Sequence, residues 1–425
     1  MIFESLAFSI TEGNEMNIRQ EQYPNGLVLL AEPIEGVRSA AFTLLTPAGA
    51  AFDPSGKLGA ATMCAEWVMR GAGQRDSREL LSALDSLGVA HGESAQTYHT
   101  GFSAATLGET LISALEIYAD VIRRPLLDDE EIEPIRALSQ QGLQSLEDDP
   151  GSKAMQELRA RHFPDPFGRS ALGNAEGVAA IAGDDLRAFV RDNYRPNSAI
   201  LGVAGAIDWE RLRDAVARLF GDWETRPEPT VALKPAGPKR DHIVKETQQI
   251  QIALAYPAAP VSGADYYQAR AAAAILGGYA SARLFTEVRE KRGLCYSVHA
   301  GYESLRDRAA VLCHAGTSTD RAQETLDVTL AEIRRLAREG IDAEELDMMR
   351  AGLKSSLVMQ QESTMGRSAA LAADWFHLGR VRPLEEILSA LDALTPESVS
   401  EVAARQPLDQ MTILTLGPKP LQFPE

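Results

Sequence analysis

The chain has 425 residues, 45% of them hydrophobic and 24% charged, the profile of a soluble globular protein too long for one ordinary core. A formal net charge of −18 repels phosphate backbones and argues against a nucleic-acid partner. Three cysteines, Cys64, Cys295 and Cys313, lack metal-ligand spacing and are too few for a disulfide framework, which suits a reducing compartment. Residues 1–15, MIFESLAFSITEGNE, carry Glu4 early and no basic segment of a secretory signal. Met16 is an alternative start, because patterned sequence begins just after it. No stretch approaches the ~18 consecutive apolar residues of a spanning helix. The expectation is a cytoplasmic protein with no membrane partner, a periplasmic location staying open.

In chain order, GLVLLAEPI and RSAAFTLLTPAG read as neighbouring strands. The stretch GAATMCAEWVMRGAG (Gly59–Gly73) follows as a nearly all-apolar, hence buried, helix. Between Ala60 and Met69 the polar exceptions, Thr62 and Glu66, are four apart and share one helix face. SRELLSALDSLG is helical, AHGESAQTYHTGFSAATL reads as strands, and helices run to about His162. DDLRAFVRDNY (helix), SAILGVAG (strand) and a helix from Asp208 close this half. Blocks of strands followed by blocks of helices predict an α+β fold.

ETRPEPTVALKPAGPKRDH holds four prolines with little apolar periodicity, a linker composition. Beyond it the pattern recurs. LDDEEIEPIRA matches IDAEELDMMRA, setting Arg136 against Arg350 at an offset of 214 (350 − 136). IAGDDL at Ile181 maps to LTPESV at Leu394, an offset of 213 (394 − 181), and SAILGVAG maps to MTILTLGP. A near-constant offset over distant segments marks an internal duplication. Two tandem homologous domains are expected, 17–223 and 246–421, joined by a linker at 224–245. In the same register the Gly59 helix faces YYQARAAAAILGG, and SRELLSALDSLG faces SARLFTEVREKRG.

None of the seven histidines lies four from another, so neither H-E-x-x-H nor H-x-x-E-H is present. His91 and His99 flank Glu93, a weak metal signal that a structural role explains as well. No Walker loop or G-x-S-x-G occurs, and LGGYASARLF lacks the full dinucleotide fingerprint.

GAATMCAEWVMRGAGQRDS, the acidic turn LEDDP, HFPDPFGRSALGNAEGVAAI and YRPNSAILGVAGAID together resemble, in order and spacing, the pitrilysin/insulysin family of inverted-zincin metallopeptidases, in its bacterial processing-peptidase-like branch. The resemblance extends from about Tyr23 to Gly417. It implies two domains, each a mostly antiparallel β-sheet covered by helices, facing each other or a partner across a chamber. It also sets Thr62 at the family's first histidine, Ala65 at the catalytic glutamate and Glu66 at the second histidine. The third ligand position falls at Gln141 or Gly142. Zinc at a hydrolytic centre needs about three protein donors and a water. Threonine and glutamine are poor donors, alanine is none, and no base stands at Ala65 to activate water. No metal or other cofactor is therefore expected on this chain, and no peptide hydrolysis by the chain alone.

The second half resembles the family's segment carrying an Arg and a Tyr seven residues apart, here Arg289 and Tyr296. Locally, Ser281 is a good N-cap, Leu284, Phe285 and Val288 form an apolar stripe, and Gly293 ends the helix with Arg289 in its last turn. Leu294, Tyr296, Val298, Ala300 and Tyr302 then alternate along a strand. Helix-dipole preference and ordinary strand packing account for the two residues equally well in isolation. The resemblance implies that they grip substrate carbonyls near the scissile bond, a task suited to guanidinium and phenol donors. Gly277 and Gly278 would line the chamber and touch substrate, or serve close helix packing.

The resulting expectation is the zinc-less subunit of a heterodimeric metalloendopeptidase. It would bind extended peptide and supply Arg289 and Tyr296 in trans to a zinc-bearing partner with H-x-x-E-H. The alternative is a non-catalytic scaffold or peptide-holding homodimer of the same fold.

Overall fold

The structure, a computed structural model, describes residues 18–423. Both candidate start residues, Met1 and Met16, lie outside the described residues. The N-terminal half runs β1 (Arg19–Gln22), β2 (Val28–Pro33), β3 (Ser39–Thr46), α1 (Ala60–Val68), a small hairpin of β4 (Gly71–Ala72) and β5 (Arg75–Asp76), and α2 (Ser77–Ser86). It continues through β6 (Ala90–Ala95), β7 (Thr100–Leu107), α3 (Leu111–Arg123), α4 (Ile132–Asp148), α5 (Pro150–His162), α6 (Ala175–Ala180), α7 (Gly183–Asn193), β8 (Ile200–Gly205) and α8 (Trp209–Phe220). The C-terminal half repeats the plan with β9 (Arg240–Val244), β10 (Gln249–Ala258), α9 (Tyr266–Gly277), a π-helical turn (Phe285–Glu290), β11 (Cys295–Ser304), β12 (Ala309–Ser318) and α10 (Ala322–Glu339). It closes with α11 (Ala343–Gln361), α12 (Thr364–Leu378), α13 (Leu384–Asp392), α14 (Pro396–Ala404) and β13 (Thr412–Gly417).

The two sheets have the same topology. The first is ordered β1-β2-β8-β3-β7-β6 and the second, read from its other end, β9-β13-β10-β12-β11. Apart from the additional edge strand β1, the last strand of each (β8, β13) inserts between two earlier ones, parallel to β2 or β9 and antiparallel to β3 or β10, with every other pairing antiparallel. The strands β2 and β3 are therefore not neighbours, as their adjacency in sequence suggested. Strand β8 separates them because its all-apolar ILGVAG pairs with both and is buried from end to end. The linker is also shorter than expected: it ends at 239, because RDHIV forms the edge strand β9 against β13.

The duplicated arginines make the same bonds. Arg136 donates to the backbone carbonyls of Val178 and Ile181. Arg350, its counterpart, donates to those of Leu391 and Leu394 at 3.1 and 2.9 Å. Each ties a long helix to the end of a later short one, satisfying carbonyls that the helix end leaves without an intrahelical partner.

Strand alternation gives each sheet two apolar faces. One face of the first sheet (Leu29, Phe42, Phe102, Leu201) packs under α1, α3 and α7 of its own half. The other (Val28, Leu30, Ile200, Ala204) is covered by Leu371 and Ala372 of α12, which belongs to the second half. Reciprocally, Ala154 and Leu158 of α5 cover Ala253, Ala255, Leu312 and Leu414 of the second sheet. The halves thus exchange a helix. At Gly202 a Cβ would lie 2.3 Å from the carbonyl oxygen of Ser368, so α12 rests directly on the strand backbone. The exchange is pinned by polar contacts. The buried carboxylate of Glu32 accepts from Nε and Nη2 of Arg367, and Thr43 Oγ1 lies 3.0 Å from Ser368 Oγ. Arg159 binds Glu303 through Nε and Nη2, and His162 Nδ1 lies 3.0 Å from Thr412 Oγ1.

Candidate functional site

Helix α1 is buried for a local reason. Asp53, itself buried, accepts the N–H groups of Gly59 (2.7 Å) and Ala61 (2.8 Å) and so caps it. Met63, Cys64, Trp67 and Val68 pass into the core, and Trp67 Nε1 donates to the carbonyl of Asp128 at 2.9 Å. Thr62 and Glu66 share the remaining face, as their spacing requires. Thr62 Oγ1 is already committed: it donates to the carbonyl of Ala171 at 2.5 Å. Ala65 is buried and offers no donor. The carboxylate of Glu66 is 3.9 Å from the guanidinium of Arg70, which also lies 3.9 Å from Glu131.

Helix α4 packs across α1, but it offers no ligand. Its inward stripe is Ile135, Ser139 and Gly142, whereas Gln141 is exposed. Of the two candidates for a third ligand position, Gly142 is the one on the stripe, where a Cβ would meet only Leu172 Cδ2 at 3.6 Å.

The edge strand β6 brings Glu93 towards Glu66. Burial, and secondarily the Glu66 charge, hold the Glu93 carboxyl above the usual carboxylate range, and His91 Nδ1 lies 3.8 Å from Glu93 Oε2. His99 is not part of this group. It is buried at the far end of the hairpin, against Phe376 of α12. One hydroxyl spent as a donor, one alanine, one glycine and one partly neutralised glutamate do not fit a hydrolytic zinc site. Among the described residues no group of three or more His, Cys, Asp or Glu side chains is placed to hold a metal ion.

The second site residues do converge. Arg289 lies in a π-helical turn rather than the last turn of an α-helix capped by Ser281. The Lys291 N–H reaches the carbonyl of Thr286, and the Ser281 hydroxyl turns to Met348 Sδ at 3.8 Å. Extra-wide turns of this kind recur at functional positions. Gly293, at φ +59°, then ends the turn as its sequence position suggested. Strand β11 carries a β-bulge between Cys295 and Ser297, opposite Thr317 and Gly316.

The bulge corrects the expected alternation. With one residue inserted, Cys295 takes the core-facing place beside Val298 and Ala300, and Tyr296 turns outwards to 80% exposure. The Arg289 guanidinium sits 4.6 Å from the Phe285 ring centroid and 5.1 Å from that of Tyr296. No hydrogen bond or ion pair engages it among the described residues. Two aromatic rings thus hold a cation whose N–H donors remain free, beside an exposed phenol. Burial pushes the Cys295 thiol up, and Arg289 pulls it partly back.

Of the two places expected of Gly277, the structure gives the close-packed one. It is buried at the end of α9, where a Cβ would lie 2.4 Å from the backbone nitrogen of Ala300. It lets α9 approach β11 closely. Gly278 is exposed and caps α9, its N–H on the Ala274 carbonyl at 2.7 Å.

Residues 28–173 match the family Insulinase (Peptidase family M16), and residues 180–353 match Peptidase M16 inactive domain. The chain belongs to the M16 peptidase family. An uncharacterized zinc protease of Bacillus subtilis (strain 168) is 26% identical to this M16 chain over 403 residues, covering 94% of it and 98% of the relative. An uncharacterized zinc protease of Rickettsia felis is 23% identical over 408 residues, covering 96% and 99%. In fold, the chain superposes on the peptidase M16 inactive domain from Pseudomonas fluorescens with a TM-score of 0.87 at 23% identity, over 96% of this chain and 100% of that one. A protease from Helicobacter pylori gives 0.87 at 19% identity, over 95% and 100%.

Residues 180–353 of the M16 chain are thus of the inactive-domain type, and the described residues hold no metal-ligand group on α1 or elsewhere. No described helix is long and apolar enough to cross a membrane. The sequence marks the bulge at Tyr296 only faintly: the core-facing place holds Cys295, small enough to pack against the core there.

Proposed function

We propose that this M16 chain is the zinc-less subunit of a two-chain metalloendopeptidase. It holds extended peptide and presents Arg289 and Tyr296 to the substrate carbonyl at a zinc site carried by a homologous H-x-x-E-H chain. The observation behind this reading is the Arg289 guanidinium, held by Phe285 and Tyr296 with its donors unengaged, in a chain whose metal helix has no ligand set. An exposed tyrosine on a bulge and an arginine without a carboxylate are poor choices for stability. They suit a group that receives negative charge developing on a carbonyl oxygen. The three cysteines are unpaired thiols, which fits work in a reducing compartment such as the cytoplasm.

Mixing this chain with its zinc-bearing partner and measuring peptide cleavage tests the proposal. The mixture is expected to cleave where neither chain alone does. Arg289→Ala should lower kcat/KM of the mixture by roughly 10²-fold or more, the range for loss of one transition-state donor. Tyr296→Phe, which keeps the ring and removes only the hydroxyl, should lower it in the same direction. If Arg289→Ala leaves kcat/KM unchanged while the chains still associate, supply in trans is wrong and a scaffold role takes its place.

A further inference from the structure

A cavity of about 500 Å³ lies where the two halves meet, away from α1, Arg289 and Tyr296. Its floor is the outer face of the first sheet, at Val28 and Ile200. One wall is the last turn of α12, with Trp375, Phe376 and His377. Arg306, at the tip of the β11–β12 hairpin, reaches in from the second half. None of the described lining residues is acidic, although the whole chain carries a formal charge of −18.

Ser198 Oγ donates to Glu228 Oε1 at 2.6 Å at the edge of the cavity, but three other polar groups here lack partners. Arg306 makes no hydrogen bond or ion pair among the described residues, and its guanidinium carbon stands 5.7 Å from the Phe376 ring centroid. His99 is only 7% exposed, and no hydrogen bond engages its ring. It packs edge-on against Phe376 at 4.4 Å between centroids. His377 Nδ1 is fully buried without a partner. Burial, then the charges of Arg306, His377 and Arg195, push the proton affinity of His99 down to about 3, so the ring is neutral and carries one N–H. Buried donors without acceptors are costly unless something completes them. The site therefore offers one permanent positive charge, the neutral His99 imidazole and an aromatic shelf.

From this geometry we propose that the cavity binds a small organic monocarboxylate with a flat apolar body. The ring lies along Phe376 and Trp375, and the carboxylate sits between Arg306 and His99. The volume suits a molecule of that class. Two features select a single negative charge over a phosphate. Only Arg306 is a full cation among the lining groups, and the carbonyl end of α12, closed by Gly379 at φ +65°, opposes additional negative charge. Because the cavity bridges α12 and the opposing hairpin, an occupant would tie the halves together at a distance from the peptide site.

The test uses the full chain and three probes that differ only in the head group: 3-phenylpropionate, its neutral amide and the matching amine. Binding is read by titration calorimetry and by Trp375 emission, with inorganic phosphate as a fourth arm. The acid is expected to bind at a Kd of about 1 mM or tighter, with amide and amine at least ~10-fold weaker. Arg306→Gln, a change at an exposed hairpin tip, should weaken the acid at least ~10-fold, and Phe376→Leu should weaken all ring-bearing probes. Equal binding of acid, amide and amine would overturn the proposal. So would no binding of the acid up to ~10 mM, undiminished binding by Arg306→Gln, or phosphate binding more tightly than the acid.

Discussion

Replacing Arg367 by leucine would leave the Glu32 carboxylate in the interface between the halves with no counter-charge. Both side chains are deeply buried there, Arg367 at 3% and Glu32 at 8% exposure. Arg367 supplies two charge-assisted hydrogen bonds to Glu32 Oε2, from Nε at 2.9 Å and from Nη2. Stranding one partner of a buried ion pair costs about 3–5 kcal/mol. At 1.4 kcal/mol per decade this is roughly a 10²- to 10³-fold shift in the unfolding equilibrium. With a urea dependence of ~3 kcal/mol/M or more for a chain of this size, the midpoint should fall by about 1 M. The matching double variant, Glu32→Leu with Arg367→Leu, removes the charge and its partner together. It should recover most of the loss, because apolar replacement of a whole buried pair is near neutral or stabilising. Urea denaturation followed by tryptophan fluorescence and by far-UV circular dichroism reads both variants. The two probes should report one transition, since α12 cannot leave the first sheet without exposing both halves. A double variant no more stable than the single one would refute the ion-pair account. A single variant that loses less than ~1 kcal/mol would show that the interface admits water or another partner for Glu32.

Gly277→Ala is expected to destabilise by about 1–3 kcal/mol in thermal unfolding, because the new Cβ would sit 2.4 Å from the Ala300 nitrogen. The same change at the exposed Gly301, where a Cβ would meet nothing within 4 Å, should be milder, and equal losses at the two positions would refute the packing role. Burial lowers the proton affinity of His162 and of His314 to about 4 each, below the ordinary value of 6.5. Between pH 6.5 and 4 the unfolded chain therefore binds more protons than the folded one, so stability present at neutral pH is lost as pH falls through that window. Each histidine contributes about 2–3 kcal/mol of this slope, and His162→Gln should remove its share, as read by denaturation at pH 7 and pH 4.5. Introducing Thr62→His, Ala65→Glu, Glu66→His and Gly142→Glu together should confer stoichiometric zinc by elemental analysis. The same set with Gln141→Glu in place of Gly142→Glu should not, and equal zinc in both would refute the placement of Gly142 on the α4 stripe.

The elements whose signals are local are legible in the sequence. Period-3.6 apolar spacing and good caps mark α2 and α8, and the repeated arginines Arg136 and Arg350 mark the duplication. The vacated metal helix was legible for the same reason, since Thr62 and Glu66 fall on one face by spacing alone. What escaped depends on partners distant in the chain. The insertion of β8 between β2 and β3 is decided by a strand more than 150 residues after β3 (200 − 46). The bulge at Tyr296 shifts a period-2 pattern by one residue without altering composition. Gly277 reads alike as a lining or a packing glycine until Ala300 is placed beside it. The exchange of α5 and α12 is invisible to periodicity, because a helix with one apolar stripe does not declare which sheet it covers.

That exchange bears on how the chain is made. During synthesis the first sheet is complete in sequence by Gly205, yet the helix that covers Val28, Leu30, Ile200 and Ala204 ends only at Leu378. At elongation rates of about 5–20 residues per second, the 173 intervening residues (378 − 205) leave an apolar sheet face uncovered for roughly 10–35 s. Helix α5, meanwhile, waits without its own sheet until β13 emerges at the very end of the chain. Each half expressed alone is therefore expected to expose an apolar sheet or helix face and to be poorly soluble. The segment from Thr364 to Gly417 completes both cores.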